Sequence, residues 1–551
     1  MTPDQLAGAV LIAAKAALAD FGLDPSLLPE VKVERPRNPE HGDYASAIAL
    51  QAARQTGLPP RELATAIAAK LADDEEIASV EVAGPGFLNI RLAAGAAGAI
   101  AGLIVRQGSR YGHSTALAGT RINDEFVSAN PTGPIHLGGT RWAAVGDALA
   151  RMFRAQGATV TTEYYFNDAG AQIDRFAQSL LAAARHEPAP EDGYAGEYIG
   201  EIAQTLVEQH PQILAGPTDA ALNLVAAIGV ELMFAEIKSS LSNFGVHFDV
   251  YFSERDLHDR GDLDRALARL DELGKVYQAD GATWVRTSDY GDDKDRVIRR
   301  GTGQFTYFAA DCAYYLDKRD RGFDKVMIVL GADHHGYVGR MRAVAACFGD
   351  DPDQTLEILI GQLVNLIAGG HTVRMSKRAG TVITIDDLVG AVGVDAARYA
   401  LARYSLDSPI DLDLDLWTKR STDNPVYYVQ YAHVRIASLL RHSTELGFTL
   451  GDDYDASLLS DDRELTLLKA LADFPGVLAS AAELRQPHRI ARYLEDLAGA
   501  YHRFHDGCRI LPRATEEFGE TSRARLWLAR ATQLVLASGL DLLGVTAPGR
   551  L

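Results

Sequence analysis

Apolar residues recur with helical spacing over residues 3–20 and again over 59–72, where Pro59-Pro60 marks the start. Nearby the spacing shortens to every second residue. Val31-Lys-Val-Glu34 and Ala78-Ser-Val-Glu-Val82 alternate as half-buried strands do, Pro39–Ser46 reads as an ordered turn, and Gly84-Pro-Gly-Phe87 reads as a tight turn into a further strand. The pattern changes near residue 118. Arg121–Val127 predicts a strand, Ser128–Gly139 a loop, Thr140–Gln156 a long helix and Thr159–Phe166 the next strand. Such a succession belongs to a parallel sheet with helices on its faces. Helical periodicity then fills about 171–245. Strand-like runs return at Phe248–Phe252, Thr283–Arg286, Val326–Leu330 and Leu356–Ile360. One doubly wound α/β sheet with a helical insertion explains this better than two sheets. Beyond Leu416 the pattern predicts helices only: Val426–His442, Asp461–Leu478, His488–Cys508 and Arg523–Leu543. The expected organisation is an α+β domain over 1–110, the doubly wound domain over 118–415 and an all-α bundle over 416–551.

A chain of 551 residues exceeds one ordinary hydrophobic core, in keeping with about three domains. The apolar segment Leu6–Leu18 is too short to cross a bilayer, and Met1-Thr-Pro-Asp4 lacks the basic start of a secretory signal, so no membrane partner is expected. Cys312, Cys347 and Cys508 show no metal-ligand spacing; they suggest a reduced, cytoplasmic protein without disulfides or a structural metal. A formal charge of −20 argues against indiscriminate binding to polyanions. It leaves open a nucleic acid met by locally gathered cations.

Two strings carry candidate chemistry. In Ser128-Ala-Asn-Pro-Thr-Gly-Pro-Ile-His-Leu-Gly-Gly139 the glycines let backbone approach a nucleotide closely, and the loop opens a helix directly after a strand. Free N–H groups and the helix dipole favour phosphate there. His136 is open to two roles, capping the turn or hydrogen-bonding the nucleotide. The second string, Arg374-Met-Ser-Lys-Arg-Ala-Gly380, is either an ordinary basic surface loop or a Gly-flanked loop that can close over a bound nucleotide.

In this order, the two strings resemble the paired signatures of class I aminoacyl-tRNA synthetases. Around them, Glu125-Phe-Val-Ser-Ala-Asn130, Glu163-Tyr-Tyr-Phe-Asn-Asp-Ala-Gly170, Phe248-Asp-Val-Tyr251 and Asn424–Arg435 are similar to the arginyl-tRNA synthetase family. So are Gly42-Asp-Tyr-Ala-Ser46, Gly84-Pro-Gly-Phe87 and Leu543-Gly-Val-Thr-Ala-Pro548, and the likeness runs along nearly the whole chain. It implies a Rossmann-like class I catalytic domain, an N-terminal module that meets tRNA, and a helical anticodon-binding domain. The implied substrates are ATP with Mg2+, L-arginine and tRNA(Arg), used by a monomer in protein synthesis.

The resemblance implies ATP contacts at Pro134, His136, Gly138, Gly139, Met375, Ser376 and Lys377, with His136 and Lys377 catalytic. It implies arginine contacts at Glu125, Asn130, Glu254, Tyr307 and Asp311. Two carboxylates suit a guanidinium, which offers five donors in a plane and stays charged. Otherwise Asp311 and Glu254 are surface partners of Arg299, Arg300 or Lys318. Tyr427, Tyr431 and Arg435 would meet RNA by stacking and charge, with Tyr428, Gln430 and His433 on the same helix, unless these side chains pack within the bundle.

Two positions depart from the family pattern. Gly139 stands where a second His is usual, so that the helix-start amides, Thr140 or Arg141 would have to substitute, and Arg374 stands where Lys is usual. Two other functions remain open at this stage: a class I synthetase for another amino acid, and a tRNA-binding relative without enzymatic activity.

Overall fold

A computed structural model describes residues 1–36, 38–214, 218–373, 383–513 and 516–551. The second signature, with Arg374, Met375, Ser376 and Lys377, lies outside the described residues.

The N-terminal module packs helices Pro3–Asp20, Ile48–Thr56 and Pro60–Leu71 on a three-stranded antiparallel sheet. Its strand order is Tyr44–Ser46, Phe87–Leu92, Ile77–Ala83. The expected strand at 31–34 makes a single bridge, Glu34 to Ala45, and the paired strand falls inside the expected turn. Gly42 explains the shift. Its φ is 99°, and a Cβ there would stand 2.7 Å from the Ile90 carbonyl oxygen, so only glycine lets the chain come this close before pairing begins. Helix Ala94–Gln107 follows in sequence but packs with the C-terminal bundle, Tyr454 Oη bridging its Gly98 carbonyl and Gly102 amide.

The central sheet has five parallel strands: β1 (Arg121–Glu125), β2 (Thr159–Phe166), β3 (Val250–Ser253), β4 (Lys325–Gly331) and β5 (Leu356–Gly361). Their order across the sheet is β5-β4-β1-β2-β3. The order reverses between β1 and β4, which is where doubly wound sheets open a crevice at their carboxyl ends. Both faces are covered. Met327 and Val329 of β4 join one core, Val326 and Ile328 the other.

Helix α1 (Leu137–Ala155) crosses the first face buried on nearly all sides. A Cβ on its Gly146 would meet the Phe126 ring at 2.3 Å, so glycine sets how closely helix and strand pack. The helical insertion consists of Ala171–Ala184, Glu197–Gln209 and Thr218–Asn243. The strand expected at Thr283–Arg286 is not in this sheet. It lies at Ala282–Val285, the middle of a separate antiparallel sheet between Val276–Ala279 and Arg296–Arg299. Alternation cannot tell which sheet a strand joins.

The bundle contains Pro425–Glu445, Asp462–Glu483, His488–Gly507 and Glu520–Leu542. It shares one hydrophobic core with α1 and the insertion. Arg398 is buried in that junction. It donates to the Phe244 carbonyl at 3.0 Å, to the Leu543 carbonyl at 3.2 Å, and to the Asp147 carboxylate.

Candidate active site

The carboxyl end of β1 is strained. Val127 has φ 69° and Ser128 φ 43°, and Ser128 N donates to Phe126 O at 3.0 Å, closing a three-residue turn on Val127. A β-branched residue in left-handed backbone is costly and persists only where its surroundings enforce it. The hydroxyl of Ser128 enforces it here, donating to Glu125 Oε1 at 3.0 Å and accepting from Tyr165 N at 3.1 Å.

Asn130 continues the loop. Its Oδ1 accepts from Asn167 N at 3.0 Å and its Nδ2 donates to Gln172 Oε1 at 2.7 Å, tying the loop to the start of the insertion. Pro134 stands half-buried just before His136.

His136 is the N-cap of α1, its Nδ1 accepting from Gly139 N at 3.3 Å. Leu137 N donates to Ile383 O at 3.1 Å and Ile385 N to Ile135 O at 2.9 Å. Chain just beyond the second signature is thus stitched around His136.

The two substitutes for a second His are otherwise engaged. Thr140 is buried, its hydroxyl on His136 O at 3.1 Å. Arg141 is buried and donates to the carbonyls of Gln362, Ser405 and Ser408 at 2.6, 2.7 and 2.9 Å. Of the first three helix amides, those of Leu137 and Gly139 are occupied, and that of Gly138 has no partner among the described residues. A Cβ at Gly139 would lie 3.0 Å from Ile135 Cγ2, so even the smallest side chain crowds this loop.

Across the sheet, helix α2 (Tyr307–Asp320) presents Tyr307, Asp311, Tyr314 and Lys318 at three- and four-residue spacing along one face. The stripe runs from the open, with Tyr307 73% exposed, to the buried floor, with the Lys318 side chain 1% exposed. At the floor, Lys318 Nζ meets Glu125 Oε2 at 2.5 Å. Arg321 binds both oxygens of Glu163 at 2.6 and 2.9 Å, and Tyr314 Oη donates to Glu163 Oε1 at 2.6 Å. Burial would push the Glu163 carboxyl up, but Lys318 and Arg321 hold it below the usual carboxylate range. Glu125 and Glu163 face each other in register on β1 and β2.

Higher in the stripe the charge is not balanced. Among the described residues neither Asp311 nor Glu254 has an ion-pair partner. Lys318 is on Glu125, and Arg299 Nε donates to the Gly303 carbonyl at 2.8 Å. Asp311 accepts from Tyr337 Oη at 3.0 Å and Glu254 from Tyr165 Oη. Burial, with the nearby charges of Glu254 and Glu125, raises Asp311 to about 6, against the hydrogen bond from Tyr337 and the positive charge of Arg340.

Tyr165, Tyr314, Lys318, Arg321 and Tyr337 were not singled out from the sequence as site residues. Tyr314 and Lys318 lie one and two turns beyond Asp311, and that spacing was a usable signal. Nothing in the sequence places Tyr165 or Tyr337.

In the bundle, Tyr427 and Tyr431 stack at 6.1 Å with rings 7° apart, and Tyr431 stacks on His502 at 5.7 Å. Tyr431 is 38% exposed, and Arg435 is half-buried beside Asp506 at 2.9 Å. Gln430 and His433 face inward, Gln430 on the Thr546 carbonyl at 3.0 Å and His433 on that of Pro548 at 2.9 Å, so they fasten the C-terminal segment rather than face solvent.

A doubly wound sheet with a strained loop and a capped helix at its switch point, joined to a helical bundle, is the build of a class I tRNA synthetase. Residues 231–404 match the catalytic domain of class I (R) tRNA synthetases, 10–92 the arginyl tRNA synthetase N terminal domain and 429–551 the DALR anticodon binding domain. An arginine–tRNA ligase of Kineococcus radiotolerans is 58% identical over 554 residues, covering 100% of both chains. The chain belongs to the arginyl-tRNA synthetase family. In fold it resembles the arginyl-tRNA synthetase of Thermus thermophilus, at TM-score 0.76 and 23% identity with 100% of both chains covered. It also resembles the methionyl-tRNA synthetase of Mycobacterium tuberculosis in complex with methionyl-adenylate, at TM-score 0.55 and 15% identity over 76% of this chain and 90% of that one. The fold alone therefore does not choose the amino acid.

Proposed function

We infer that this chain activates L-arginine with ATP and transfers it to tRNA(Arg) in protein synthesis. The observation that carries the choice of arginine is the pair Glu254 and Asp311, acids that have no ion-pair partner among the described residues. A guanidinium supplies the missing charge and only donors.

In the first step an arginine carboxylate oxygen attacks the α-phosphorus of ATP, which brings its magnesium as part of the substrate. The bond to the β-phosphate bridging oxygen breaks and pyrophosphate leaves. In the second, a ribose hydroxyl at the tRNA terminus attacks the adenylate carbonyl and AMP leaves. The protein's share is positioning and charge stabilisation. His136, held by Gly139 N at the start of α1, is the side chain that we assign to the phosphate. The Gly138 amide adds to it, and Lys377 supplies the cation for pyrophosphate. Glu125 and Asn130 set the α-amino and carboxylate end of arginine, and Tyr307 stands at the mouth. The Tyr427–Tyr431–His502 stack, with Arg435, offers a face for unpaired bases.

We read the enzyme as a cytoplasmic monomer without a membrane partner. Helices 219–243 and 462–483 are long and apolar enough to cross a bilayer. Both nonetheless bury residues in the core: Val225, Met233, Ile237 and Leu241 from one, Leu467, Leu471, Phe474 and Leu478 from the other.

Two assays test the function: arginine- and tRNA-dependent ATP–pyrophosphate exchange, and charging of tRNA with each of the standard amino acids. Exchange and charging with arginine alone are expected. Charging with a different amino acid, or none, overturns the proposal.

A further inference from the structure

Each of the two uncompensated acids is held by one phenol. Tyr337 Oη donates to Asp311 Oδ1 at 3.0 Å, and Tyr165 Oη donates to Glu254 Oε2. Among the described residues the other oxygen of each acid accepts no hydrogen bond. The two phenols arrive from different elements, Tyr165 on β2 and Tyr337 at the start of helix Tyr337–Cys347. Tyr165 is packed against the Tyr314 ring at 4.6 Å, which fixes where its hydroxyl can point. Burial first, and then the carboxylates around them, push both hydroxyls far above their ordinary range, so they stay donors at any working pH.

We propose that Tyr337 and Tyr165 are positioning residues for arginine selection: each phenol occupies one oxygen of its acid and leaves the other as an acceptor for the guanidinium. The proposal rests on the reading of Asp311 and Glu254 as the arginine-side acids. A guanidinium has donors only, and a carboxyl group that takes up a proton turns one of its acceptors into a donor. Asp311 is the group at risk. It is faced by Tyr337 and Arg340 from helix Tyr337–Cys347, by Glu254 after β3, by Glu125 at the end of β1, by Tyr165 on β2 and by Cys312 on its own helix. Of these, the Tyr337 hydroxyl is the one that touches it. Removing that donor leaves burial and two like charges acting against the ionised form.

The test is Tyr337→Phe, which keeps the ring and deletes the hydroxyl, with the arginine KM in tRNA charging measured from pH 5.5 to 8 and the ATP KM as control. In the parent the arginine KM should rise as pH falls through about 6, where Asp311 takes up its proton. In Tyr337→Phe the rise should begin about one pH unit higher, making arginine KM about fivefold worse than the parent at pH 6 and nearly equal at pH 8, with ATP KM unchanged. In an Asp311→Asn background the same change should add nothing to the pH profile. Tyr165→Phe should raise the arginine KM about tenfold across the whole range.

Superimposable pH profiles for parent and Tyr337→Phe overturn the assignment. So does an equal loss from Tyr337→Phe with and without Asp311, which would place Tyr337 in packing alone. Should Tyr337→Phe fail to fold, Tyr165→Phe decides: an unchanged arginine KM overturns the proposal and a selective rise supports it. Failure of the underlying function shows separately, in a parent protein that does not charge arginine at all.

Discussion

At the end of the site that we read as nucleotide-binding, the described geometry is set mainly by backbone. Val127 and Ser128 are forced into left-handed conformations, Gly138 and Gly139 open α1 where an added Cβ would crowd the preceding loop, and the start of α1 is stitched to Ile383. At the end that we read as arginine-binding, it is set by side chains. Glu125, Tyr165, Glu254, Asp311 and Tyr337 come from five elements, above a floor of neutralised charge made by Lys318 and Arg321. Strain and close approach are set by neighbouring residues, so most of the backbone end lies within one stretch of sequence, with Ile383 as the distant exception. A site made of side chains can be gathered from anywhere, and the price is a buried electrostatic network that must be balanced.

Four experiments break or sharpen this contrast. The largest effect is expected from Lys377→Ala, which removes the cationic side chain read at the nucleotide end. Adenylate formation should fall about a hundredfold, on the order of 3 kcal/mol of transition-state stabilisation, with little change in arginine KM. Pyrophosphate exchange near the parent rate would remove Lys377 from the catalytic reading. Asp311→Asn comes next. It should raise the arginine KM roughly thirtyfold and leave the ATP KM unchanged, because an amide turns donors toward a donor-only group. Equal effects on both substrates would mean that the two ends are not separate.

Smaller effects are expected from Gly139→His, which installs the residue usual in the family's signature. The first atom of any side chain there stands 3.0 Å from Ile135 Cγ2, so the variant should lose about 1–3 kcal/mol in denaturant unfolding. Exchange should fall rather than rise, and a faster enzyme would show that the loop has room for a phosphate ligand.

The fourth effect is on stability against pH. With Asp311 raised to about 6, the folded protein keeps this proton between about pH 4 and 6 while the unfolded chain gives it up. Stability from this group therefore falls as pH rises through that window. Melting curves without arginine should show Asp311→Asn gaining on the parent from pH 4 to 6, and parallel curves would return Asp311 to an ordinary carboxyl.

What could be read from sequence follows the same division. The β1–loop–α1–β2 unit was legible because alternation, the Gly/Pro loop and helical periodicity succeed one another within about fifty residues. Both signatures were visible as strings. Glu254 and Asp311 were reached through family likeness and the chemistry of a guanidinium, and Tyr165 and Tyr337 were not reached at all. No local pattern says that a tyrosine on β2 will meet an acid after β3. Arg141 misled for the opposite reason: its place beside the glycines suggests a phosphate ligand, but its guanidinium is buried on three carbonyls from chain more than two hundred residues away. Strand membership was equally hidden. Ala282–Val285 alternates as central strands do but pairs in a sheet of its own.

Arg398 carries a consequence for how the molecule is made. Its buried charge is satisfied by Asp147 on α1, by the Phe244 carbonyl at the end of the insertion and by the Leu543 carbonyl near the C-terminus. During synthesis the first two partners emerge before Arg398 itself, whereas the third follows about 145 residues later. Until then the nascent chain holds a cation whose cage is missing a wall, at the junction where α1 meets the bundle. A ribosome that stalls or is cut short in the last helix thus leaves a defect next to the signature helix, not merely a frayed end. Quality control that senses loosened cores would find an incomplete copy of this enzyme from within its catalytic half.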